Sequence, residues 1–274
     1  MKHRRRLKVL TAIVAAMCLA APCSAKSESA PDTENIVLHE RYTENAEGFY
    51  IENNTAFMPV RSLAAMCLDS PYVAWNPALR TAYVSSENAD LAVTDLEKEA
   101  LSMGETSRLS SAPRVKNGKM YVPVRDTAEL LGYSAEWDAA DRSITLLKDT
   151  PDDSDSTLFW LSRIIFAEAR GEPFEGKLAV GNVVLERAAS GEFPDTVYGV
   201  IFDRDPVVQF TPLSNFTLFN IPDEECIDAA KRVLSGEKAV DGCLYFVNPV
   251  TTSSDWVMKN REFVTMIGNH AFYK

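Results

Sequence analysis

The chain has 274 residues, 46% of them hydrophobic, with 28 Lys+Arg against 39 Asp+Glu and a net charge of −11 at pH 7. So acidic a chain lacks the basic face that nucleic acid demands, and it argues equally against electrostatic adhesion to anionic wall polymers or lipids. The length suffices for one large domain or two medium ones.

The first 25 residues read as an export signal. Lys2, Arg4, Arg5, Arg6 and Lys8 precede an apolar run over 9–21, and Cys23-Ser24-Ala25 offers a cleavage site after Ala25. The run is too short to span a bilayer comfortably. Met17 and Pro22 stand before Cys18 and Cys23 where a lipid-anchoring signal wants a small residue. Cleavage would leave 23 Lys+Arg against 39 Asp+Glu, a net of −16. The expectation is a secreted chain with no stable membrane span after cleavage. Cys67, Cys226 and Cys243 remain, an odd number that leaves at least one free thiol. Cys226 and Cys243 could pair, but spacing does not decide it.

Residues 26–148 contain a repeat, near 54–85 and 117–148. Phe57-Met58-Pro59-Val60-Arg61 is echoed by Tyr121-Val122-Pro123-Val124-Arg125, and Trp75-Asn76 by Trp137-Asp138. Each unit reads as strand, short helix, strand, turn, strand, with Ser62 and Asp126 as helix N-caps. Residues 149–156 are polar and acidic with one proline, and read as a linker. Residues 157–274 then have a domain's length.

The stretch 158–170 predicts an amphipathic helix with an apolar stripe of Leu158, Leu161, Ile164 and Ile165. Glu168 is the next position on that stripe. A carboxylate there is costly unless paired with Arg163, Arg170 or a distant base, or unless it has chemistry to do. Partial burial raises its pKa, as a general acid near neutral pH requires. Gly171 and Pro173 end the helix, and 177–189 predicts a second one that buries Leu178, Val180, Val183 and Val184.

Other chemistries find little support. His39 and His270 alone survive signal removal, and no H-E-x-x-H, G-x-S-x-G, Walker or dinucleotide-binding glycine pattern occurs. Neither a metal nor a cofactor is expected. A cysteine hydrolase would need Cys226 or Cys243 beside His270, yet Cys243 opens an apolar run, Leu244-Tyr245-Phe246-Val247, that looks like a buried strand.

Two resemblances bear on these residues. The P-V-R signature with its downstream tryptophan resembles the stalk-like repeat of copper amine oxidase N-termini. That implies a spacer or wall-associated module without chemistry, and His39, the only histidine between 26 and 150, gives no copper-ligand set. In the other half, Ala167-Glu168-Ala169-Arg170-Gly171-Glu172, then Gln209-Phe210-Thr211-Pro212, Tyr245-Phe246-Val247-Asn248-Pro249, Trp256 and Asn269-His270 run in the order of the SleB-type cell-wall hydrolase family of spore-cortex-lytic enzymes. The resemblance covers 159–274. It implies a mainly helical lysozyme- or lytic-transglycosylase-like domain with a small β element, in the cell wall or spore envelope; with the α/β repeat doublet of strand-helix-strand-strand units before it, the chain is expected to be α+β. It implies cleavage of peptidoglycan between N-acetylmuramic acid and N-acetylglucosamine, with Glu168 as the catalytic acid. Glu186 stands where that family carries Asn.

Glu172 and Glu175 are candidate second carboxylates, with a capping or solvated role as the alternative. Gln209, Phe210, Tyr245, Asn248 and Trp256 are candidate substrate-binding residues, because aromatic and amide groups suit sugar faces and N-acetyl groups. The rival reading is a wall-binding or spore structural protein whose hydrolase-like domain has lost activity.

Overall fold

The computed structural model describes residues 35–38, 49–138, 143–148, 156–204, 210, 212–252 and 254–274. The expected signal over 1–25 and most of the expected linker lie outside the described residues. Among them, no helix is long and apolar enough to cross a membrane.

The chain is mixed α and β. It begins with β1 (Asn35–Leu38), β2 (Tyr50–Glu52), β3 (Thr55–Pro59), α1 (Val60–Cys67), β4 (Tyr72–Asn76) and β5 (Thr81–Ser86). The meander that begins with β4 and β5 continues through β6 (Ala89–Thr94), β7 (Glu99–Ser102) and β8 (Glu105–Arg108), and β9 (Arg114–Lys116) follows in another sheet, beside β10. Then come β10 (Lys119–Pro123), α2 (Val124–Leu130), β11 (Tyr133–Asp138) and β12 (Ser143–Lys148). Strands β3 and β10 pair antiparallel, Met58 opposite Val122, which are equivalent positions of the two repeats. Asn53-Asn54 and Asn117-Gly118, all at positive φ, turn the hairpins β2–β3 and β9–β10. Asn and Gly tolerate that region best.

Ser62 and Asp126 do not cap these helices. Pro59 and Pro123 hold the N-cap positions without a side-chain cap. Proline's fixed φ turns strand directly into helix, so the helices start three residues earlier than expected. Asp126 instead accepts from the Ser110 amide at 2.8 Å and hydroxyl at 2.6 Å.

The second half comprises α3 (Thr157–Ala169), α4 (Phe174–Ser190), α5 (Val197–Phe202), α6 (Pro212–Asn215), a 3-10 turn (Thr217–Phe219), α7 (Glu224–Leu234), β13 (Tyr245–Val247), α8 (Trp256–Asn260), β14 (Phe263–Ile267) and β15 (His270–Tyr273). Helices α3, α4 and α7 pack on one another around Leu161, Ile165, Val180, Val184, Ala229 and Val233. Gly181 lets them close in, since a Cβ there would lie 2.9 Å from Ile165 Cδ1 and 3.1 Å from Val233 Cγ2. The small sheet runs β13-β15-β14. Cys226 and Cys243 are buried as free thiols, as is Cys67. Burial pushes the Cys226 thiol up to about 12 and raises that of Cys243, which suits packing rather than nucleophilic chemistry.

The two halves meet across a buried surface. Trp160 Nε1 donates to the Glu87 carbonyl at 2.8 Å, and the Tyr198 hydroxyl to the Ser85 carbonyl at 3.0 Å. Tyr83 stacks on Phe219 with centroids 4.4 Å apart. Arg163 and Asp90, both buried, pair at 3.8 Å. Arg163 was a local candidate partner for Glu168. The fold turns it to the far side of α3, toward Asp90 and the Asn220 carbonyl at 2.7 Å.

Candidate active site

Helix α3 is buried on most of its circumference, and Glu168 stands half-buried at its C-terminal turn. Among the described residues its carboxylate makes no hydrogen bond. Burial raises its pKa to about 7, and the opposite charge of Arg187 only partly offsets that rise. At neutral pH a large share of Glu168 therefore carries a proton.

Arg187 occupies the matching place on α4. It continues the buried row of Val180, Val183 and Val184 and is itself only 5% exposed. Its Nε donates to the Leu244 carbonyl at 2.7 Å, just before β13. The rings of Phe193, Phe210 and Tyr245 surround the guanidinium, with centroids 4.8, 5.2 and 5.7 Å from Cζ. Burial draws its pKa down to about 10, opposed by Tyr245, Asp203 and Glu168. Nη1 is buried without a hydrogen-bond partner.

Among the expected binding residues, Tyr245 and Trp256 come together, with centroids 6.3 Å apart. Arg261 lies over both rings, at 4.4 and 5.2 Å, and donates to the Tyr245 hydroxyl at 2.7 Å. Trp256 is half exposed, so an indole face is open to a ligand. Phe210 does not offer such a face. It is buried, and its ring serves Arg187. Asn248 accepts from the amides of Val250 and Thr251 at 3.0 and 3.3 Å, so its carbonyl oxygen shapes a turn. Gln209 lies outside the described residues.

Glu172 is engaged elsewhere. Its carboxylate accepts from the Asn269 amide at 2.8 Å and side chain at 2.9 Å. Burial alone would raise its pKa, but these two bonds, with His270 and Lys177 nearby, hold it below the ordinary carboxylate range. Gly268, at φ +55, leaves room for it, since a Cβ there would collide with that carboxylate. The pair latches the α3–α4 connection to the β14–β15 turn. Glu175 is exposed in the first turn of α4, where a carboxylate favours the helix N-terminus. His270 packs against Phe246 at 5.1 Å, and burial lowers its pKa. Glu186, at the position where Asn was expected, pairs with Lys238 at 2.9 Å on the surface. Buried Asn182 instead ties α4 to the loop at Glu237 and Ala239.

Arg187 and Arg261 were not singled out from sequence. The signal for Arg187 was present and is the one that marked Glu168, a charge on a buried helical stripe.

Residues 171–273 match the Cell Wall Hydrolase family, and residues 40–146 match the copper amine oxidase N-terminal domain. The spore cortex-lytic enzyme of Halalkalibacterium halodurans is 36% identical over 119 residues, 43% of this chain and 35% of that protein. The Bacillus subtilis spore cortex-lytic enzyme is 34% identical over 119 residues, 43% of this chain and 38% of that protein. The chain thus spans well under half the length of these curated relatives. The solved catalytic domain of the germination-specific lytic transglycosylase SleB from Bacillus anthracis is 32% identical, covering 46% of this chain and 100% of that one, with a TM-score of 0.41. The chain therefore carries a cell wall hydrolase domain over residues 171–273 and a copper amine oxidase N-terminal domain over residues 40–146.

Proposed function

We propose that the chain cleaves the glycan strands of peptidoglycan at the bond between N-acetylmuramic acid and N-acetylglucosamine, as an exported lytic transglycosylase with Glu168 as its acid. The names of the relatives point to a spore-cortex substrate. The observation that carries the catalytic reading is the Glu168 carboxyl, half-buried, without a hydrogen bond among the described residues, and held protonated up to about 7. Glycoside cleavage needs a proton on the leaving oxygen and relief for an oxocarbenium-like transition state. Glu168 supplies the first. The second falls to the Glu168 carboxylate once it has given its proton. Arg187 then stabilises that carboxylate, which limits the cost of forming a charge in a dry place.

A hydrolase of the usual kind adds a second carboxylate as base or nucleophile. Glu172 is committed to Asn269 and Glu175 stands in solvent at a helix start, which supports a single-acid route. In that route the muramic 6-hydroxyl attacks the anomeric carbon, Glu168 takes its proton back, and a 1,6-anhydro end forms. Trp256 and Tyr245 would seat sugar faces, and the unpartnered Nη1 of Arg187 would serve a substrate oxygen. The fold of 157–274 is accordingly read as lysozyme-like, built to hold one acid beside a groove.

Digested sacculi test the product. The muramic ends should be lighter by one water than a hydrolase would leave them, and borohydride should not reduce them. Uptake of hydride at those ends would make the enzyme a hydrolase.

Arg187 gives a second test. Arg187→Met removes the charge that holds the Glu168 pKa down. The upper limb of the pH–rate profile should then move up by as much as about one pH unit. Arg187→Lys, which restores the charge, should return the limb toward wild type. An unmoved limb in a folded Met variant would remove Arg187 from the mechanism.

A further inference from the structure

The two repeats build the same groove twice. In the first, Arg61 at the start of α1, Trp75 on β4 and Lys119 from the opposite hairpin line a cavity of about 500 Å³. In the second, Arg125 at the start of α2, Trp137 on β11 and Thr55 from the opposite hairpin line one of about 540 Å³. The pairing of β3 with β10 explains the duplication. Met58 faces Val122 at the same place in each repeat, so a local twofold relates the repeats and each hairpin walls the other's groove.

Neither indole is there for the core. Trp75 is 38% and Trp137 41% exposed, and neither joins the buried cluster of this half. Each sits across from an aliphatic residue of the next strand, Ala82 or Ile144, that also lines its groove. Leaving a large aromatic open to water forgoes burial energy, and here the fold does so twice at matching positions. An open indole beside a guanidinium is the chemistry that receives a sugar ring. The C–H face stacks on the indole, and hydroxyl, N-acetyl or carboxylate oxygens accept from the arginine.

We propose that these grooves are two glycan-binding subsites, each seating a stretch of a linear N-acetylated polysaccharide strand through a tryptophan and an arginine. The choice of strand rests on the peptidoglycan reading above, while the grooves themselves do not. The first groove carries Arg61 and Lys119, whereas the second sets Asp126 and Glu136 beside Arg125. The first therefore contributes more on strands bearing carboxylates. The chain's net charge of −11 opposes electrostatic adhesion, so stacking dominates and binding changes little with salt.

Sedimentation of the full chain with sacculi stripped of stem peptides tests this in the cold, with product release measured on the same preparations. Trp75→Ala/Trp137→Ala should raise the apparent Kd at least about tenfold, while cleavage of a short soluble glycan oligomer is unchanged. Trp75→Ala should weaken binding more than Trp137→Ala. Because Arg61 and Arg125 are exposed, Arg61→Gln/Arg125→Gln keeps the test open should the tryptophan variant unfold. It too should weaken binding. A folded variant of either kind that sediments with the wild-type Kd overturns the proposal, as does loss of wild-type binding on stripped strands. Binding that depends on the tryptophans in a chain that cleaves nothing would overturn the catalytic reading and leave this one standing.

Discussion

Glu168→Gln should abolish glycan cleavage and make the protein more stable at alkaline pH. The activity loss should be at least about 10²-fold, the scale of general acid catalysis, because Gln fills the same space and has no proton to give. The stability gain follows from the pKa. A carboxyl whose folded pKa is raised, here from 4.5 to about 7, favours the neutral form in the fold. Its environment costs nothing below pH 4.5, and the penalty accumulates as pH rises to 7. Above that it reaches as much as about 3 kcal/mol. Gln does not titrate and avoids it. Urea unfolding at pH 5.5 and 8 should show wild type losing stability on going to pH 8, with the variant losing less. Wild-type cleavage should fall above pH 7, since only the protonated acid works. Near-wild-type turnover of sacculi by the variant would end the assignment, and equal pH dependence of unfolding in both proteins would end the burial argument behind it.

That residue was legible in the sequence for a physical reason. A helix buried on one face repeats every three or four positions, and a charge in that row either has a partner or has a task. The rule reached Glu168 from Leu161, Ile164 and Ile165. Applied to Val180, Val183 and Val184 it reaches Arg187 as well, so half of the central pair went unread although its signal was equal. The candidate binding residues were less legible. An aromatic residue gives the same local signal whether it stands open to solvent, as the half-exposed Trp256 does, or supports a neighbour, as the buried Phe210 does. The P-V-R echo marked both repeat helices, but their first turns were misplaced because proline, not Ser62 or Asp126, sets the start. The meander from β6 to β8 left no comparable trace. Its strands are short and partly polar, and pairing with the next strand rather than intrinsic propensity holds them.

The contact between the halves was the least readable feature, because its partners are distant in sequence, and it yields the other large prediction. Arg163→Met should destabilise the whole chain by about 3–5 kcal/mol, and adding Asp90→Asn should recover most of the loss. Asp90 is buried on β6 with a single short bond, from the Ser85 hydroxyl at 2.8 Å. Burial raises its pKa, and Arg163 is the largest opposing influence. Without the guanidinium, the carboxylate must stay charged and uncompensated in a dry interface or take up a proton far from its ordinary range. Asparagine removes that choice, so a methionine–asparagine pair is apolar and neutral where the single variant is not. The comparison isolates the pair from the packing of Arg163 on Phe159, 4.2 Å from its ring, because both variants lose that contact. Urea unfolding of the four proteins at pH 7 gives the coupling energy. A coupling below about 0.5 kcal/mol would mean the pair does not join the halves. The acidic segment before α3 would then be a plain tether, and residues 157–274 should fold and cleave without the doublet.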